Sequence, residues 1–122
     1  MSVTDWLHRE WQRLINRCTY SWQGLAHIWQ SEPSFVFWTC VNIAFGILAF
    51  VLPLSGAERG VVLGLGIAIL AAECLNTGIE RLVDMTGPEH TDMGKQAKDA
   101  ASAGVALMAV AAGVAWLCVL IW

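Results

Sequence analysis

Glu73, Asn76, Glu80 and Asp84 recur along the chain at offsets of three, seven and eleven from the first of them. On a helix turning about 100° per residue, with Glu73 at zero, the others fall near −60°, −20° and +20°. One helix face therefore carries three carboxylates and an amide. A polar seam that glues helices together would account for Asn76 alone, but Glu73 is the only charge between Gly60 and Asn76. In a membrane such a group costs ~2.5–3.5 kcal/mol even on a lenient scale, so it is paired, protonated or functional. Three carboxylates on one stripe repel one another unless a cation sits among them. The stripe points to metal or proton chemistry.

A second stripe stands downstream. Lys95, Lys98 and Ser102 follow one another at offsets of three and seven, with Asp99 beside them. By itself this is a snorkelling helix end. Taken with Glu32, Glu80 and Asp84 it suggests a site for a phosphate-bearing ligand and its Mg²⁺, a cation that takes few protein oxygens and shares the rest of its shell with phosphate and water. No GxxxxGK[ST] loop, protein-kinase signature, GxSxG or HExxH occurs, so phosphoryl transfer here would need another scaffold. His8, His27 and His90 are too scattered for a histidine metal site.

The elements that must hold these residues are membrane helices. Of the 122 residues 57% are hydrophobic and 14% charged, which is wrong for a small soluble domain. Ser34 to Pro53 and Ala100 to Trp122 carry no charge at all. Each apolar stretch approaches the ~20 residues needed to cross ~30 Å of hydrocarbon. The expected architecture is all-α, a single membrane domain over 1–122, with a surface helix at about 4–29, spans at about 34–53, 60–80 and 100–121, and a loop at about 86–92. Arg9, Arg13, Arg17, Arg81, Lys95 and Lys98 fall on one side and only Arg59 on the other. The positive-inside rule makes the first side cytoplasmic, and with it the N-terminus.

Within the surface helix, Trp11, Leu14, Ile15, Cys18, Trp22, Leu25 and Trp29 share one sector and Arg9, Arg13 and Arg17 another. This predicts a helix lying on the membrane, with Thr4 as N-cap, Asp5 in the first turn and a possible bend at Gly24. Ser31 and Pro33 predict the start of the next helix, Pro53 to Gly56 a turn, and Thr86-Gly87-Pro88 the end of the helix that carries Glu73. Gly60 and Gly64 form a small-xxx-small step suited to close packing, and Trp116 and Trp122 lie toward the far interface. Cys18, Cys40, Cys74 and Cys118 read as free packing thiols. No nucleic-acid partner is expected.

These residues resemble the bacterial integral-membrane diacylglycerol kinase family, whose Gram-positive members include undecaprenol kinases. The resemblance covers roughly residues 13 to 122. It is carried by Tyr20-Ser21-Trp22 with Gly24-Leu25, by Glu32 with Phe35, by the E-x-L-N-x-x-I-E-x-x-V-D run from Glu73 to Asp84, and by Ala97-Lys98-Asp99. It implies a homotrimer with active sites shared between chains at the cytoplasmic face of the bacterial inner membrane, transferring the γ-phosphate of MgATP to a lipid hydroxyl. By position, Glu73 would be the general base, with Asn76 and Lys98 completing the catalytic set. Glu32 and Glu80 would hold the metal and, with Arg13, Tyr20, Glu89, Lys98 and Asp99, the nucleotide. Ser21, Trp22, Glu73 and Ser102 would face the lipid.

Two departures bear on the acceptor. After Phe35 the family continues with an arginine and, in diacylglycerol kinases, a glutamate two residues later, where this chain has Val36, Phe37 and Trp38. The loop carries His90-Thr91 in place of the usual tyrosine or histidine pair. Diacylglycerol is the leading acceptor, with undecaprenol or another lipid alcohol as the alternative. Readings from other classes are an oligomeric proton or cation conductor lined by the Glu73 stripe and a non-catalytic membrane adaptor.

Overall fold

The computed structural model describes residues 2–87 and 91–122, and these form four helices: α1 (Val3–Ser31), α2 (Pro33–Val51), α3 (Gly56–Asp84) and α4 (Asp92–Ile121). Glu89 and His90 lie outside the described residues, as does Pro88. The chain divides into two compact units, residues up to Ser31 and Glu32–Trp122.

In the first unit α1 runs unbroken through Gly24, with no bend-forming interruption of the helix. Its cap is Ser2 rather than Thr4. The Ser2 hydroxyl accepts from the Asp5 N–H at 3.2 Å and the Asp5 carboxylate accepts from the Ser2 N–H at 3.1 Å, a reciprocal box that satisfies two otherwise unpaired donors. Those bonds hold the Asp5 carboxyl below its ordinary range. Thr4 is turned instead toward the Ser2 hydroxyl.

In the second unit, α2 starts one residue later than expected. Ser31 closes α1, and the cap position belongs to Glu32, in extended backbone, with Pro33 at the first helical position. The Glu32 carboxylate does not cap its own helix; it accepts from Arg81 of α3 at 3.2 Å. α3 opens with a capping box, in which Ser55 and Glu58 exchange bonds of 3.3 Å and 2.6 Å. It ends at Asp84, after which Gly87 takes a φ of 139°, open to glycine and strained for other residues. Thr91 then caps α4 by accepting from the Gly94 N–H.

Helices α2, α3 and α4 are each long and apolar enough to cross a membrane. At 1.5 Å per residue their 19, 29 and 30 residues give about 28, 43 and 45 Å. α2 barely spans the hydrocarbon, whereas α3 and α4 outreach it by about 10–15 Å. Asp84, Lys95 and Lys98 occupy that surplus, whereas Glu73 lies within the apolar length of α3.

α3 packs against both α2 and α4. The close approach of α2 is made at Gly66, where an added Cβ would collide with the Asn42 amide oxygen. Around Gly60 and Gly64, the expected packing step, no side chain or other-helix atom among the described residues comes within 4 Å of such a Cβ. Spacing shows where helices could approach, and Asn42 decides where they do. The Asn42 amide nitrogen is tied to the Trp38 carbonyl at 2.9 Å, so the side chain has little room to retreat. Gly66→Ala is therefore expected to cost about 1–3 kcal/mol of stability through overpacking, measured as earlier thermal unfolding in detergent. Gly64→Ala, two residues away, should leave that transition in place.

Toward the far end, Ala49, Val62 and Trp116 form the buried cluster, flanked by Leu52, Leu54, Leu63 and Val119. Trp116 is thus buried within the bundle at its far end, its ring tilted against Phe45 with centroids 5.2 Å apart. Between α2 and α4 the bundle leaves an apolar cavity of about 420 Å³, lined by Trp38, Asn42, Phe45, Gly66, Ile69 and Trp116 among others. At the turn itself Arg59 donates to the carbonyls of Ala49 and Leu54 at 2.9 and 3.0 Å and lies over the Phe50 ring. The four cysteines are free, and Cys18, Cys40 and Cys118 are exposed on the single chain rather than packed within it.

Candidate active site

The site is built along the last three turns of α3. Counting from Arg59, Glu73 lies about 21 Å and Glu80 about 32 Å along the helix axis. With Arg59 at one hydrocarbon edge, Glu73 sits well inside the other and Glu80 at it. Glu73 is 4% exposed and its neighbour one turn on, Thr77, 2%. These are the two buried polar residues of the described chain.

The four residues of the stripe do not form one chain of bonds. Glu73 is met from α2, where the Ser34 hydroxyl donates to its Oε2 at 3.2 Å. Asn76 and Glu80 pair with each other, the amide Nδ2 donating to the carboxylate Oε1 at 3.0 Å. That leaves the Asn76 amide oxygen buried and without a partner among the described residues. Asp84 turns to α4 and accepts from Lys98 at 2.5 Å.

α4 reaches Asp84 because Gly94 lets its first turn close on α3: a Cβ there would come within 2.9 Å of a Val83 methyl. Beside this contact a cleft of about 240 Å³ is lined by Val83, Asp84, Thr91, Lys95, Lys98 and Asp99 among others. Lys95 and Asp99 form an exposed ion pair at 2.6 Å, which by exposure contributes little stability. Ser102 lies one turn further along α4, exposed.

The structure thus brings Glu32 to Arg81 beside Glu80, Asn76 to Glu80, and Lys98 to Asp84. Arg13, Tyr20, Ser21 and Trp22 stand exposed on α1, with Arg13 paired to Glu10. Glu89 is outside the described residues. Sequence reasoning passed over Ser34 and Arg81 as site residues. The available signal was a hydroxyl and a cation each within two residues of a carboxylate already singled out, Glu32 and Glu80.

Among the described residues no three Asp, Glu, His or Cys side chains gather closely enough to hold a metal on their own. Glu32 is held by Arg81 and Glu80 by Asn76, each on α3. Two carboxylates alone do not make a protein cage. Their oxygens suit a hard divalent cation that arrives with phosphate oxygens and water filling most of its shell.

Comparison with known proteins agrees with this chemistry. The sequence model of the prokaryotic diacylglycerol kinase family matches residues 19–120. The diacylglycerol kinase of Escherichia coli (strain K12) is 30% identical over 110 residues, covering 90% of this chain and 89% of that protein. That of Haemophilus influenzae is 32% identical over 106 residues, covering 84% and 87%. The undecaprenol kinase of Bacillus subtilis (strain 168) is 32% identical over 104 residues, covering 84% and 85%. A conduction path or a passive adaptor gives way to catalysis on this ground. With its three apolar spans and its acidic stripe beside a lysine-lined cleft, the chain belongs to the prokaryotic diacylglycerol kinase family and is an ATP-dependent lipid kinase of a membrane.

Proposed function

We propose that this kinase moves the γ-phosphoryl group of ATP to the free hydroxyl of diacylglycerol, giving phosphatidic acid. The observation that carries the reading is Glu73, the one buried carboxylate among the described residues, at the apolar end of a polar stripe whose other end opens on a lysine-lined cleft. A lipid hydroxyl approaches from the hydrocarbon side and a nucleotide from the aqueous side. Phosphoryl transfer asks of a protein mainly that it position the two and neutralise charge.

In this assignment Glu73 accepts the proton of the lipid hydroxyl, and Asn76 supports the site through its bond to Glu80. Lys98 and Asp99 bind phosphate and nucleotide, with Arg13, Tyr20 and Glu89 as further nucleotide contacts. Glu32 and Glu80 would hold Mg²⁺, which when bound neutralises charge on the transferring phosphate oxygens. Ser21, Trp22 and Ser102 line the lipid side. Helix α1 lies on the membrane surface, its tryptophans in the interface and its arginines in water. The working form is a homotrimer in the bacterial inner membrane, the whole chain acting as one membrane domain with its nucleotide side cytoplasmic.

A second acceptor has a specific claim: an undecaprenol kinase is also 32% identical to this chain over 104 residues, and Val36, Phe37 and Trp38 depart from the family run at the lipid edge. The test is radiolabelled ATP with the purified protein and a panel of diacylglycerol, ceramide, undecaprenol and a saccharolipid. Label is expected in phosphatidic acid. Label in undecaprenyl phosphate alone would replace the acceptor and keep the kinase.

A further inference from the structure

Glu73 has one hydrogen-bond partner among the described residues, the Ser34 hydroxyl. A carboxylate 4% exposed has little water to substitute for that bond. Ser34 is also carried on a stiff turn. Pro33 before it fixes the backbone, Glu32 is tied across to Arg81, and Phe35 after it is buried. Ser34 itself is exposed, so its hydroxyl is not required to fill the core.

We infer that Ser34 is a positioning residue for the general base, its O–H holding Oε2 of Glu73 so that Oε1 faces the acceptor hydroxyl. This rests on Glu73 acting as that base. As the lipid oxygen bonds to the γ-phosphorus, the bond from that phosphorus to the bridging oxygen breaks and its electron pair leaves with ADP. The lipid proton passes to Oε1, and Ser34 keeps its own proton throughout. The 3.2 Å separation is long for an O–H···O bond, so Ser34 orients the base without clamping it. Its loss should slow turnover by about tenfold rather than abolish it.

The experiment compares the full-length parent, Ser34→Ala, Ser34→Thr and Glu73→Gln in lipid bilayers, reading kcat together with KM for ATP and for diacylglycerol. Ser34→Ala is expected to lower kcat about tenfold with both KM values unchanged. Ser34→Thr, which keeps a hydroxyl, should recover most of the loss. Equal activity of the alanine variant and the parent overturns the inference, as does an equal loss in alanine and threonine variants or an effect confined to KM for ATP. The Glu73→Gln arm separates the two levels: if it is inactive while Ser34→Ala is normal, only the role of Ser34 fails. If Glu73→Gln turns over normally, the base itself is misassigned.

Discussion

Glu73→Gln is expected to lower lipid phosphorylation by about 10²–10⁴-fold, the range supplied by a positioned general base. Glutamine keeps the shape of the side chain, and its amide can still accept from Ser34, so the substitution removes the proton acceptor with little change in packing. The buried site makes this a sharper test than usual, because water has little access to take over the proton. ATP binding, followed by equilibrium titration, should be retained, since Glu73 lies about 10 Å along α3 from Glu80. Normal turnover would remove Glu73 from the chemistry.

Glu80→Gln is the second large effect. Here too the neutral side chain can still accept from Asn76 Nδ2, so the bond of 3.0 Å is kept and only the charge is lost. Turnover should fall by about two orders of magnitude at Mg²⁺ levels that saturate the parent, and the Mg²⁺ needed for half-maximal rate should rise about 10–100-fold. A Mg²⁺ titration of initial rates reads both. An unchanged Mg²⁺ requirement would detach Glu80 from the metal and leave Glu32 as the sole carboxylate to be tried.

Much of this arrangement could be read from residue order because helical phase is a local property. The burial of Glu73 and the common stripe of Asn76 and Glu80 follow from spacing within one helix. What could not be read is which residue of another helix meets a given face. Ser34 on Glu73 and Arg81 on Glu32 are contacts between α2 and α3, and phase along one helix carries no information about its register against the next. The glycines show the same gap: Gly60 and Gly64 have the right interval, yet Asn42 seats on Gly66. Position along α4 places Trp116 toward the far end, but does not tell that Phe45, Ala49 and Val62 of the other two helices pack around it there. At the ends of α1 and α2 the caps moved by one or two positions, because several capping residues compete there and small differences in backbone geometry choose among them.

The arginine at the turn between α2 and α3 bears on how the protein enters its membrane. A bare guanidinium resists being carried through hydrocarbon, and an unpaired one would oppose insertion of the helical hairpin that bears it. Arg59 takes two carbonyl acceptors and an aromatic face from its own hairpin, groups that need only α2 and α3 to be in place. The hairpin therefore carries the solvation of this charge within itself, with no contribution required from α4.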